Sequence, residues 1–415
     1  MSKCPYCDFN SHVASQIDDD LWARSFENEI DYFSDTIYNK YIKSIFFGGG
    51  TPSLMQPFIV QRIIKKIASL ALIDESTEIT LETNPTSYET NKFQDFRAAG
   101  INRVSIGVQS LNEGDLKLLG RQHDVKQAIH TIESARALFP KISFDLIYAR
   151  TNQTLKGWQS ELATAMQLAS GHISLYQLVI EKGTPFYKLF NEGALTIPDS
   201  DQAADMYEWT NAYLTSQNYI RYEISNYALS GHECKHNLTY WEYNNYLGIG
   251  PGAHSRINIS NGLYSNDSSK GNVKRGVSER SVVTIREHAN PPMFCETNLE
   301  EQKSIHAVMM WHNPSKWLQE VSVNGCGIQT INKLSKVEII EEMLMMGLRL
   351  EKGININDLQ ARIGKKLFEI IDIEAATSYK DSGLLTWDKQ AANIKLTDKG
   401  LMMHSYIVPR LLIDR

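Results

Sequence analysis

A (β/α) barrel followed by a C-terminal helical, winged-helix-like domain is the fold that this α/β sequence predicts, on three observations. Short β-branched runs alternate with helical stretches through the first half. Nearly every run ends on a small or functional residue, and the alternation gives way to helices and a short wing near the end. Repeated strand–helix units need right-handed crossovers and therefore a parallel sheet.

The strand-like runs are residues 41–47, 78–81, 103–106, 142–147 and 172–178, apolar and β-branched enough to be buried. Between them, residues 57–71, 87–99, 125–138 and 155–170 carry helical spacing. A doubly wound open sheet competes with the barrel. The barrel is preferred because Gly48-Gly49-Gly50, Glu82, Gln109, Asp145 and Gln177 stand at or just beyond the ends of different strands. Barrels converge groups from many strand ends on one mouth, whereas an open sheet gathers them at its switch point.

A helix is expected over residues 202–216, then Tyr222-Glu223-Ile224-Ser225-Asn226-Tyr227 and an aromatic, histidine-bearing stretch from His232 to His254. Residues 260–301 are aperiodic and polar, as in an exposed insertion or linker. Residues 336–415 read as two or three helices, a two-stranded wing at 383–387 and 393–397, and a final helix. The expected division is therefore a barrel core at 1–200, an extension at 201–259, the insertion at 260–301 and a C-terminal domain at 302–415.

Hydrophobic residues make up 42% of the chain and charged residues 22%, with a formal charge of −6. This is an ordinary globular balance, and it argues against a phosphate-tracking nucleic-acid protein, whose footprint is a basic stripe. Winged modules often bind DNA. Without a basic cluster on the recognition helix, an internal packing role is expected instead. No run approaches the roughly 18 apolar residues of a membrane span, and Met1-Ser2-Lys3-Cys4 lacks the apolar core of a signal peptide. A cytoplasmic location is expected.

The five cysteines are Cys4, Cys7, Cys234, Cys295 and Cys326, too sparse for a disulfide framework. Cys4-Pro5-Tyr6-Cys7 alone has the close spacing of a metal-binding or redox pair; the other three read as ordinary thiols. Gly48-Gly49-Gly50-Thr51-Pro52 follows a strand, and such a turn lets backbone N–H groups approach a carboxylate or phosphate. It is neither GxGxxG nor a P-loop.

Six motifs occur in order: Cys4-Pro5-Tyr6-Cys7-Asp8-Phe9-Asn10-Ser11-His12, the Gly48–Pro52 turn, Leu81-Glu82-Thr83-Asn84-Pro85, Ser105-Ile106-Gly107-Val108-Gln109-Ser110, Gly120-Arg121-Gln122-His123 and Phe144-Asp145-Leu146-Ile147-Tyr148. Through them the chain resembles the coproporphyrinogen-oxidase-like branch of radical SAM proteins over most of its length, apart from the insertion. The resemblance implies a radical SAM barrel in which Cys4 and Cys7 are the second and third cysteines of a C-x3-C-x2-C motif holding a [4Fe–4S] cluster. It implies that the backbone of Tyr6 meets the adenine of S-adenosylmethionine (SAM), and that Gly49, Gly50 and Thr51 receive its methionine part. Glu82, Gln109, Arg121 and Asp145 would fix its amino-acid and ribose ends, which suits their chemistry.

Two departures accompany the resemblance. The first cluster cysteine would fall immediately before Met1 and the first strand upstream of that, so a partial barrel is expected, with a natural start further upstream. Tyr148-Ala149-Arg150-Thr151 replaces the family's Tyr-Gly-Leu-Pro, a change in a loop near the site.

Phe9 stands where the oxidases carry a further cysteine, and His236-Asn237-Leu238-Thr239-Tyr240-Trp241 matches the His-Asn-x-x-Tyr-Trp motif that the HemW-type chaperone branch associates with heme. Imidazole is a competent axial ligand, and on a helix His236 and Tyr240 share one face; His232 and His254 are rivals for that role. The resemblance thus implies a heme chaperone that passes heme to acceptor proteins and carries a SAM-liganded cluster. The alternatives are oxidative decarboxylation of coproporphyrinogen III and a catalytically inert interaction protein. Dimers occur in the family, and peripheral membrane contact suits a heme donor, although no basic amphipathic helix points to it.

Overall fold

The computed structural model describes residues 4–7, 17–259, 264–267, 272–275, 304–388, 390 and 392–413. Its main sheet runs β1 (Ser44–Phe47), β2 (Glu78–Thr83), β3 (Arg103–Gln109), β4 (Lys141–Tyr148), β5 (His172–Gln177), β6 (Ile220–Glu223) and β7 (Asn226–Ala228), in the order β1-β2-β3-β4-β5-β7-β6. The first five strands are parallel, and the β6–β7 hairpin joins antiparallel at the β5 edge. This is the curled half-barrel expected.

The side-chain period of two decides what each face does. Leu81, Val104, Ile142, Phe144, Leu146, Ile173 and Leu175 form one core with the helices Pro57–Ala68, Phe93–Ala99, Val125–Leu138 and Leu155–Leu168. The alternate residues are Thr80, Glu82, Ser105, Ser143, Asp145 and Ser174; Glu82, Ser105 and Ser143 are in register across three strands, and Asp145 with Ser174. A sheet with helices on one face and this polar set on the other has built a cup.

Three sequence expectations need correction. The first strand begins at Ser44 rather than at residue 41, because Tyr41 makes only an isolated bridge to Leu72. The helix expected over 87–99 is two, Ser87–Thr90 and Phe93–Ala99. Glu89, at the end of the first, turns its buried carboxylate to the Asn84 N–H (2.7 Å) and the Thr83 hydroxyl (3.0 Å). Finally, the sheet does not end at residue 200, since β6 and β7 belong to it.

β8 (His254–Ile259) pairs with β11 (Ser304–Met310), which pairs with β12 (Ile328–Lys333), giving a three-stranded sheet with no counterpart in the sequence reading. Residues 304–333 therefore pack with the extension. The Asp19–Tyr32 helix covers this sheet together with Pro314–Asn324. Between β8 and β11, β9 (Tyr264–Asp267) and β10 (Asn272–Arg275) pair antiparallel; the rest of the expected insertion lies outside the described residues.

The C-terminal domain has its own core, with helices Lys336–Gly347, Ile356–Ile363 and Ile373–Asp381. Its wing has three strands, as β13 (Ile354–Asn355) adds to β14 (Leu385–Asp388) and β15 (Asn393–Leu396) in the order β13-β15-β14. Among the described residues no helix is long and apolar enough to cross a membrane.

Candidate functional site

The half-barrel encloses a cavity of about 1980 Å³. At the strand ends it is lined by Cys4, Tyr6, Cys7, Gly49, Gly50, Thr51, Glu82, Gln109, Arg121 and Asp145, all ten residues that the resemblance assigns to cluster and SAM. Each reaches the cavity through local geometry.

Gly49 has φ +114°, and a Cβ built there would meet nothing within 4 Å, so its backbone faces open space. Its N–H donates to Glu82 Oε2 at 3.1 Å. Burial pushes the Glu82 carboxyl up to about 7, and neighbouring Asp145 adds to the rise. Asp145 is itself raised to about 6, mainly by burial, with Ser174 and Ser105 hydroxyls pulling the other way. Two buried acids close together resist carrying two charges until a cation arrives.

Arg121 Nη2 donates to Asn84 Oδ1 (2.6 Å) and to the Gly107 carbonyl (2.7 Å), while Nη1 lies 3.6 Å from Cys4 Sγ. Asn84 Nδ2 in turn reaches Thr51 Oγ1 at 3.3 Å. Asn84 is thus the joint between the glycine turn and Arg121. Within its motif, Asn84 carries no signal in the sequence of this bridging part. Gln109 sits at a β-bulge with φ 71°, a left-handed conformation rare for its type.

The Cys4–Cys7 turn is closed by the Cys7 N–H on the Cys4 carbonyl at 3.2 Å. It packs on Gly120, where a Cβ would approach Pro5 Cδ to 2.6 Å, so glycine is required there. The Phe186 N–H holds the Pro5 carbonyl at 3.0 Å, and the Tyr6 ring lies against Phe186. Burial pushes the Tyr6 phenol up to about 12. Among the described residues no group of three or more His, Cys, Asp or Glu side chains converges as a metal site. Cys4 and Cys7 are two thiols of the three or four donors a cluster needs.

At the other end of the cavity lies the helix Lys235–Trp241. Its N-terminus is tied to the start of β2, where the Lys235 N–H donates to buried Glu78 at 2.8 Å. The His236 imidazole stacks on Phe46 of β1, with ring centroids 4.0 Å apart at 14°, and Tyr240 meets it edge-on at 4.7 Å. Burial depresses the His236 pKa to about 4. The ring is therefore a neutral base at physiological pH.

The motif divides on this helix. His236 and Tyr240 line the cavity, whereas Asn237 and Trp241 are not among its lining residues. Asn237 Nδ2 donates to Tyr222 Oη at 3.1 Å, and the Trp241 ring lies under Arg349. His254 lines the cavity at the edge of β8, beside His312. His232 does not line it; its ring packs against Gly171, and its carbonyl accepts from Arg103 at 3.1 Å. Phe46 and Tyr176 also line the cavity, and nothing in the sequence distinguishes them from ordinary strand aromatics.

The altered loop after β4 is anchored by Arg150. Its guanidinium, 1% exposed, pairs with Asp115 at 2.8 Å and with Glu161. Ala149, just before it, takes φ 53°.

Comparison with known proteins agrees with this architecture. Residues 1–161 match the radical SAM superfamily and residues 334–403 the HemN C-terminal domain. The chain is 38% identical over 266 residues to Heme chaperone HemW of Escherichia coli, covering 63% of this chain and 69% of that one. It is 35% identical over 353 residues to the mitochondrial radical S-adenosyl methionine domain-containing protein 1 of Bos taurus, covering 85% of this chain and 71% of that one. In structure it superposes on the E. coli coproporphyrinogen III oxidase HemN with a TM-score of 0.73 at 18% identity, over 99% of this chain and 87% of that one. The chain belongs to the radical SAM superfamily, in the family that contains the HemW heme chaperones and their animal relatives.

Proposed function

We propose that this protein is a heme chaperone: it takes heme into the half-barrel cavity, ligates the iron through His236 and passes the heme to an acceptor protein, with SAM held at the strand ends. The observation that carries this reading is one continuous cavity reaching from Glu82 and Asp145 to His236, Tyr240 and Phe46. Pockets for drug-sized ligands span roughly 300–1000 Å³, so about 1980 Å³ accommodates SAM and a large planar guest together. The name of the relative in E. coli, Heme chaperone HemW, supports the same reading.

Each residue has work suited to its chemistry. Neutral His236 offers a nitrogen lone pair to iron, Phe46 fixes the ring from one face, and Tyr240 borders the guest. Glu82 takes the SAM ammonium, Asp145 the ribose hydroxyls, and the Gly49–Thr51 backbone the methionine part. Gln109 and Arg121 hold the amino-acid end, Arg121 steadied by Asn84. The family's [4Fe–4S] cluster, when bound, supplies electrons and an open iron for SAM; Cys4 and Cys7 would be two of its thiolates, and the described residues offer no third. The cytoplasm, where thiols stay reduced, is the compartment this reading assigns.

Hemin titration of the purified chain, followed at the Soret band, tests the proposal against His236→Ala. Saturable binding that the substitution weakens by tenfold or more supports it. Equal affinity in both proteins would remove His236 as the ligand, and conversion of coproporphyrinogen III to its decarboxylated product would assign the oxidase activity instead.

A further inference from the structure

The face of the Lys235–Trp241 helix that turns away from the cavity is held partly by the barrel, where Leu238 packs with Tyr222 and Ala228, and partly by the C-terminal domain. Trp241 lies under the Arg349 guanidinium, 4.5 Å from the ring centroid. Among the described residues its indole N–H has no hydrogen-bond partner, so the ring is held through its face. Arg349 also donates to buried Glu223 at 3.1 Å, which fixes the cation against β6.

Asn237 is held one step further away. Its amide reaches Tyr222 Oη, which meets His172 Nε2 at 2.9 Å, while the Glu351 N–H donates to the Tyr222 carbonyl at 3.1 Å. At the C-terminal end of the helix, Arg362 Nη1 donates to the carbonyls of Glu242 (3.2 Å) and Tyr243 (3.0 Å), and Lys352 pairs with Glu242 at 2.5 Å. Cations satisfying the last carbonyls of a helix complement its dipole.

A seven-residue helix is far below the length that is stable alone in water. Its orientation must come from what it packs against. Arg349, Glu351, Lys352 and Arg362 all lie in one short stretch of the C-terminal domain. None of them lines the cavity.

We infer that the C-terminal domain is the positioning element for the heme-facing helix, and that Arg349, acting through Trp241, sets the direction in which His236 presents its ring. The inference rests on the heme reading above and extends it: Asn237 and Trp241 serve as the bolt of the motif, His236 and Tyr240 as its working face. Arg349 is a positioning residue and touches no ligand.

The test uses the full chain titrated with hemin, read by Soret affinity and by the spin state of ferric heme in electron paramagnetic resonance, alongside thermal melts. Arg349→Met and Trp241→Leu are expected to weaken hemin by about tenfold, the order of one desolvated cation–π contact, and to change the spin-state mixture. Arg349→Lys keeps the cation and should retain most of the affinity. If Arg349→Met unfolds the chain, Trp241→Leu decides the matter alone. Wild-type affinity and spin state in the folded variants, with His236→Ala impaired, would overturn the positioning role and leave the heme reading standing. Hemin binding untouched by His236→Ala would overturn both.

Discussion

His236 and Phe46 lie face to face across the base of the half-barrel, 4.0 Å between centroids and 14° from parallel. The stacking buries the imidazole from a strand that the chain reaches almost two hundred residues earlier. Burial then lowers its pKa to about 4, against about 6.5 for a free histidine. Ligation needs the neutral ring. Hemin affinity is therefore expected to stay constant between pH 8 and pH 5.5, where a solvent-exposed histidine ligand would already be mostly protonated. Soret titrations at pH 8, 6.5 and 5.5 check this; a halving of affinity near pH 6.5 would mean that His236 is solvated or not the ligand.

A marked pH dependence is expected instead at the strand ends. Glu82 and Asp145 have pKa values raised to about 7 and about 6, so they are partly protonated below neutrality, and a cationic guest must wait for them to ionise. SAM affinity should rise with pH, with a dissociation constant about tenfold larger at pH 6 than at pH 8. Glu82→Gln should weaken binding at pH 8 and flatten most of that pH profile. Calorimetry at the two pH values, with proton release measured in buffers of different ionisation enthalpy, reads both effects.

The strands and their functional ends were legible because a strand covered by helices on one face and facing a cavity on the other writes its period into the sequence. Glu82 and Asp145 interrupt apolar runs where only an inward-facing polar group would be tolerated. The glycine turn and Cys4–Cys7 were legible from residue type. What could not be read was contact at long range. Phe46 looks like any core aromatic until His236, 190 positions later, stacks on it. The β8–β11–β12 sheet stayed hidden because its strands are separated by the polar stretch that masks their pairing. The division within His236–Trp241 depends on which side of a short helix the C-terminal domain occupies, and local spacing carries no such information.

Glu29 gives a stability prediction. Fully buried, it accepts the N–H groups of Gly327 and Gly250, each at 2.7 Å, and Trp317 Nε1 at 3.0 Å, joining its helix to the Gly250 loop that lines the cavity. Burial pushes its carboxyl up to about 7 while these donors pull it down. A group whose folded pKa lies above its unfolded value favours folding at low pH, and that contribution is lost as pH rises from about 4.5 to about 7. Glu29→Gln points an N–H₂ at one of the donors and leaves it unsatisfied, at a cost of about 1–3 kcal/mol. Urea unfolding at pH 8 measures it; a variant as stable as wild type would mean that water replaces the lost acceptor.

Arg150 is the residue that makes the altered loop after β4 viable, and removing it should be more costly still. Its guanidinium holds Asp115 and Glu161 together and also donates to the Ile147 carbonyl, while Glu161 accepts from Ser110 Oγ (2.7 Å) and the Leu111 N–H (2.8 Å). Without the cation, two acids face each other in a site where the carboxyl of Asp115 is already raised by burial. Breaking a buried ion pair from one side costs about 3–5 kcal/mol, so Arg150→Met should be destabilised by that order at pH 8. The loss should shrink as the pH falls and Asp115 takes a proton. The double variant Arg150→Met with Asp115→Asn should recover part of the stability, because one unpaired charge is gone. A recovery of zero, measured by denaturant midpoints in a double-mutant cycle, would show that Arg150 acts through the Ile147 carbonyl and Glu161 alone.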